Sequence, residues 1–121
     1  MELKIINIEK GQGSKPNEEF VFLKVIENVN LKHFVIGDNS FTPAGDLSNK
    51  HAHYYRFPDQ AVKKGEFVAL FSGTGRNTSF TRTDKAIQHS YYWCLKTCIW
   101  NNEGDVGHLL KVTDSREATT K

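Results

Sequence analysis

The chain is poor in most of the features that mark a specialised protein. Among its 121 residues there are only two cysteines, three prolines and one methionine. So few cysteines exclude a disulfide-dense scaffold. Cys94 and Cys98 flank Leu95-Lys96-Thr97. Within one extended strand, residues four apart lie ~13 Å from each other, beyond disulfide reach. The pair therefore reads as two free, partly buried thiols, with Cys94 inert in an apolar strand. A tight turn at residues 95–97 would instead open a disulfide or a metal site. No apolar run approaches the ~18 residues of a membrane-spanning helix. The segment Met1–Asn7 lacks the ~7–15-residue apolar core of a signal peptide, so a cytoplasmic location is the expectation. Neither sign of charge dominates: 16 Lys and Arg against 14 Asp and Glu leave +2 with histidine neutral. That balance argues against a strongly electrostatic nucleic-acid binder but leaves room for a local basic patch. Helical periodicity is nearly absent.

What remains is apolar enough to fold. Hydrophobic residues are 38% and charged residues 25%, which excludes a disordered chain. Eight Phe, four Tyr and two Trp are many for one small domain, and they are assigned to its core and turns. The length predicts a single domain over residues 1–113, followed by a polar, frayed tail at 114–121.

The apolar runs are short, β-branched or aromatic, and divided by Gly, Pro, Asn and Asp, which is the pattern of strands. Leu3–Ile8 is the first, and is a candidate open edge. Glu19–Ile26 is the strongest: Phe20, Phe22 and Ile26 alternate with Val21, Leu23 and Val25. Both its faces are apolar, which predicts a central strand covered on both sides. Further strands are expected at 33–36, 50–57, 66–71, 91–95, 98–100 and 106–112. Turns are expected at Gly37–Ser40, Val62–Gly65 and Asn101–Asp105. The segment 72–90 reads as a long irregular loop, with a single helical turn around 83–88. The spacing is that of an all-β sandwich or barrel of about eight or nine short strands.

Three segments carry a family resemblance. Val29–Asp38 resembles the Leu, apolar strand, Asp segment of lamin-tail domains. Arg56-Phe57-Pro58, followed by Val62–Val68 with Gly65, resembles their Phe-Pro, Gly, strand segment. Ile99–Asp105, with Trp100, Asn101, Gly104 and Asp105, followed by Leu109-Leu110, resembles their Trp-Asn-x-x-Gly-Asp turn and its next strand. Order and spacing agree across residues 18–113. The resemblance implies an immunoglobulin-like β-sandwich of the stand-alone bacterial type, without the coiled-coil rod that filament assembly needs. It implies structural roles for Asp38 as a turn cap, Trp100 as a core aromatic, and Gly104 and Asp105 as turn residues.

No catalytic signature is legible, and none of the residue groups calls for a cofactor. Ser72-Gly73-Thr74-Gly75 lacks the central serine of a nucleophile elbow and the third glycine of a dinucleotide loop. His51 and His53 lie on one side of a strand, ~6.5–7 Å apart, a spacing that metal sites use. His33, His108 or a cysteine would be the third ligand of such a metal-dependent enzyme; the plainer reading is a pair of exposed edge histidines. The best functional candidate is the 72–90 segment, where Arg76, Phe80, Arg82, Lys85 and His89 gather. Its three cations against Asp84 leave a local excess of two, equal to that of the whole chain. Long loops on rigid sandwiches often bind. The expectation is a non-catalytic module that binds another protein through this loop or a sheet edge. The alternative is weak, salt-sensitive nucleic-acid binding, with Arg76, Arg82 and Lys85 on phosphates and Phe80 stacking on a base.

Overall fold

The computed structural model describes residues 1–10, 15–39, 53–100, 106–114, 116 and 118–120. They form ten strands: β1 (Leu3–Glu9), β2 (Phe20–Val25), β3 (Val29–Asn30), β4 (Phe34–Asn39), β5 (Tyr54–Arg56), β6 (Ala61–Val62), β7 (Phe67–Phe71), β8 (Thr78–Thr81), β9 (Ile87–Tyr92) and β10 (Val106–Lys111). Two 3-10 turns, Pro16–Glu18 and Leu31–His33, are the helical structure of these residues.

The strands build a five-stranded sheet in the order β1-β2-β7-β9-β8, a three-stranded sheet β10-β4-β5 and a short β3-β6 pair. All pairings are antiparallel except β7 with β9. The chain leaves β7, passes over to the open edge to make β8, and then turns back to insert β9 between them. The apolar core lies between the large sheet and the smaller ones. Leu3, Val21, Leu23, Val25, Val68 and Leu70 face it from one side; Leu31, Phe34, Ile36, Phe57 and Val62 face it from the other. This is the all-β sandwich that the strand pattern predicts.

Several local expectations are overturned. The segment 72–90 is not an irregular loop, and 83–88 holds no helical turn: β8 and β9 form a hairpin there. Its connection is Thr83-Asp84-Lys85, closed by Arg82 N–H to Ala86 O at 2.7 Å and Lys85 N–H to Arg82 O at 2.9 Å. Lys85 takes the left-handed conformation, φ 69°, that such three-residue hairpins need. Gly37–Ser40 was expected to turn, yet β4 runs on through Asn39, because Gly37, Asp38 and Asn39 pair with β10. Cys98–Trp100 is not a strand, since the Ile99 and Trp100 amides are drawn to the carboxylate of Glu19 instead of a ladder. The strand expected over 91–95 ends at Tyr92. Cys94 therefore leaves the sheet, adopts φ 66° and is exposed rather than embedded in an apolar strand.

Strand β2 is interior to its sheet, but it is not covered on both sides. Val21, Leu23 and Val25 are fully buried, whereas Phe20 and Phe22 are half-buried on the outer face. Strands β1 and β8 are the open edges of that sheet. A register shift between Ile5 and Asn7 breaks β1, and Ile6 there stands 48% exposed. Bulges of this kind blunt an edge against unwanted pairing.

Candidate functional site

The residues picked out in the 72–90 segment are not gathered into one basic patch. Arg76 precedes β8 and Lys85 follows it, so the length of that strand separates them. Arg82 is engaged: its guanidinium lies 4.4 Å from the Phe67 ring centroid and 5.4 Å from that of Phe22, and its Nε is 3.4 Å from Asp84. His89 is buried, and Phe80, at 46% exposure, stands out as an apolar surface residue, as does the neighbouring Ile87. The reason is the hairpin. Alternate residues of a strand point to opposite faces, so Phe80 and His89 go to different sides of the sheet.

The outer face of the large sheet instead carries an aromatic cluster. The pairing places Phe20 beside Phe71, Phe22 beside Ala69, and Phe71 beside Tyr92. Phe22 stacks on Phe67 at 5.2 Å and 11°, and Phe71 on Tyr92 at 5.1 Å and 17°. Phe20 bridges to Phe71 at 5.4 Å and meets Phe22 edge-on at 6.5 Å. Arg82 closes one end of this line, and Phe80 sits on the edge strand beside it. None of these rings belongs to the core between the sheets. Six of the fourteen aromatic residues are thus spent outside the core, against expectation. Small residues at the centre, Ala69 and Ser90, let the rings close over them and are themselves buried.

On the inner face of the same sheet, three polar side chains form a line. Ser79 and His89 are direct cross-strand partners. The Ser79 hydroxyl lies 2.7 Å from His89 Nδ1, and His89 Nε2 lies 2.9 Å from Glu66 Oε1. Glu66 follows a turn in which its N–H donates to Lys63 O at 3.0 Å, and Gly65 supplies the required positive φ of 90°. The Lys63 amide donates to Glu66 Oε1 at 3.0 Å. Burial works against ionisation of Glu66, but the bonds from His89 and the Lys63 amide outweigh it and hold its carboxyl below the usual range. Beside Ser79 a cleft of about 290 Å³ is lined by Pro58, Gln60, Asn77, Thr78 and Tyr91.

Among the described residues Glu19 is a fully buried carboxylate, with no exposed surface. It accepts from Ser72 Oγ at 2.6 Å, Ile99 N–H at 2.8 Å and Trp100 N–H at 3.1 Å. Its surroundings are structural: it fastens the 98–100 segment to β2 and to the end of β7. Burial, and then the Glu19 carboxylate, push the neighbouring Cys98 thiol up.

The remaining motif residues take structural places. Asp38 does not cap a turn; it accepts from the His53 amide at 2.7 Å and faces His53 Nδ1 at 3.3 Å, tying β4 to the start of β5. Phe57 and Trp100 are buried core aromatics, and Pro58 is exposed at the rim of the cleft. Among the described residues, no group of three or more His, Cys, Asp or Glu is placed to hold a metal. His51, Asn101, Gly104 and Asp105 lie outside the described residues, as does the segment 41–49. No helix of the described residues is long and apolar enough to cross a membrane. Comparison with protein-family models, with curated proteins and with solved structures finds no match.

Proposed function

We propose that this chain is a protein-interaction module, of the lamin-tail kind in an immunoglobulin-like arrangement, that binds its partner on the outer face of the five-stranded sheet. The observation that carries this reading is the stacked line Phe67, Phe22, Phe20, Phe71 and Tyr92, with Phe80 exposed on the edge strand of the same face. Rings that line a surface cost little entropy to fix and bury a large area when a partner covers them, which is why aromatics dominate binding hot spots. A protein partner is favoured over a nucleic acid by charge. Arg82 is already held by two rings and Asp84, and Arg76 and Lys85 stand at opposite ends of β8. The lamin-tail resemblance is supported by burial of Leu31, Phe57 and Trp100 and by the turn at Gly65.

Affinity capture from cells of the source tests the reading. Wild type is compared with Phe80→Ala and with Leu110→Ala, a residue equally exposed at 46% but on β10 in the other sheet. Phe80→Ala is expected to weaken recovery of a partner by roughly 5–150-fold, corresponding to ~1–3 kcal/mol for a hot-spot ring. Leu110→Ala is expected to leave recovery unchanged. Equal recovery by all three forms would remove the outer face from consideration.

A further inference from the structure

The line of Ser79, His89 and Glu66 has no part in the outer-face reading. The geometry points to Ser79 as a nucleophile that accepts an acyl group from a small ester, with His89 as its base and Glu66 as the positioning residue. An ionised carboxylate can only accept hydrogen bonds. Glu66 Oε1, 2.9 Å from Nε2, therefore holds the imidazole proton on Nε2. In the neutral ring, that leaves the lone pair of Nδ1 facing the Ser79 hydroxyl at 2.7 Å. The tautomer and the order hydroxyl, imidazole, carboxylate are those by which a serine is activated, here with the two ring nitrogens exchanged relative to the familiar proteases.

The support is rigid. Ser79 lies in β8 and His89 in β9, and Glu66 stands between a hydrogen-bonded turn and β7. His89 is 6% exposed, so its ring has little freedom to rotate away. Groups held by regular elements keep their mutual geometry better than groups on loops. Ser79 itself is exposed and borders the cleft of about 290 Å³. That volume is at the low end for ligand pockets and suits a short acyl chain. Tyr91 belongs to the same lining, where a phenol O–H is the kind of donor that a developing oxyanion needs.

The chemistry closes without any outside reagent but water. The Ser79 oxygen bonds to the ester carbonyl carbon while its proton passes to His89 Nδ1. The tetrahedral oxyanion collapses, the bond to the leaving oxygen breaks, and His89 returns the proton to the departing alcohol. Water then attacks acyl-Ser79 by the same route, giving the carboxylic acid and restoring the hydroxyl.

Two probes test this on the full chain: a fluorophosphonate, read by intact mass and peptide mapping, and p-nitrophenyl acetate turnover. A single phosphonyl adduct on Ser79 is expected, together with ester turnover that falls to the buffer rate in Ser79→Ala. His89→Gln should slow adduct formation by at least ~100-fold, and Glu66→Gln by about tenfold or more, with circular dichroism showing each variant folded. Should His89→Gln not fold, Glu66→Gln carries the same test. A line that merely ties strands together predicts stability losses and no adduct. Absence of a Ser79 adduct in the wild type, or equal labelling of a folded His89→Gln or Glu66→Gln, overturns the assignment and leaves the outer-face reading untouched.

Discussion

Replacing Glu19 by alanine isolates the most concentrated polar contribution to this fold. The substitution removes the acceptor for three donors at once: the Ser72 hydroxyl at 2.6 Å and the Ile99 and Trp100 amides at 2.8 and 3.1 Å. Glu19 has no exposed surface, so water does not simply replace it. A buried donor left without a partner costs ~1–3 kcal/mol. Three would total more than that, but the 98–100 segment can relax and admit some water. The expected loss is therefore ~3–5 kcal/mol, the range found when a buried charge network is broken. Against a typical stability of ~5–15 kcal/mol this makes the domain marginal. Glu19→Gln is a graded control. Its single remaining oxygen can keep Ser72 and Ile99, but the new NH2 then faces the Trp100 N–H, a donor against a donor. The cost expected is ~1–3 kcal/mol. Ser72→Ala leaves the carboxylate two amide donors and should cost only ~1 kcal/mol. Urea denaturation measures all three, and an unchanged dependence on denaturant would show that only stability has moved. If Glu19→Ala lies within ~1 kcal/mol of wild type, the network does not hold the 98–100 segment and the argument fails.

Two further predictions concern backbone and pH. Lys85 occupies a left-handed position, φ 69°, at the end of the β8–β9 connection, where a residue with a Cβ is strained by ~1–2 kcal/mol. Lys85→Gly is expected to stabilise by ~0.5–1 kcal/mol, because the gain is partly offset by the freer unfolded chain; a fall in melting temperature would refute the turn geometry. Burial, with some help from Tyr55, pushes Tyr91 up to about 12 from 10.0. An acid whose pKa is raised by folding binds its proton more tightly in the folded state. Its contribution is whole below pH ~10 and is lost as pH rises toward ~12. Thermal melts across that window should show wild type losing more stability than Tyr91→Phe, and parallel curves would exclude Tyr91 as the cause.

What was legible in the sequence was the set of strands with strong apolar alternation. Phe20–Val25, Phe67–Phe71 and Val106–Lys111 all appear where the pattern puts them. The β8–β9 hairpin escaped for a physical reason. Its turn has lysine where glycine or asparagine would announce a left-handed residue, and Thr78–Thr81 is exposed throughout, so it carries no apolar alternation. Cys98–Trp100 misled in the opposite direction. Its composition is that of a strand, but a single carboxylate 80 residues away from Ile99 takes up its amides. Local propensity cannot register a partner so distant in sequence. Likewise, the two apolar faces of β2 do not require two covering layers, because rings that stack on one another already remove much of their own surface from water.

The polar line at Ser79 was hidden by the same missing hairpin. Serine and histidine ten residues apart, with a glutamate 23 residues before the histidine, match no spacing motif. Register makes them neighbours: with Arg82 bonded to Ala86, counting three residues back along each arm sets Ser79 opposite His89. In the parallel β7–β9 register His89 pairs with Val68, so Glu66, two residues before Val68 and on the same face, reaches the imidazole diagonally. The two contacts that define the site are thus consequences of one turn and one ladder. A one-residue slip of β8 would turn the Ser79 side chain to the opposite face, replacing it with Phe80 beside His89 and removing the hydroxyl from the imidazole. The observed register sets Phe80 on the outer side, opposite Gln88, and Ser79 on the inner side, bonded to His89. The outward placing of Phe80 and the serine line therefore depend on one alignment, although they lie on opposite sides of the sheet.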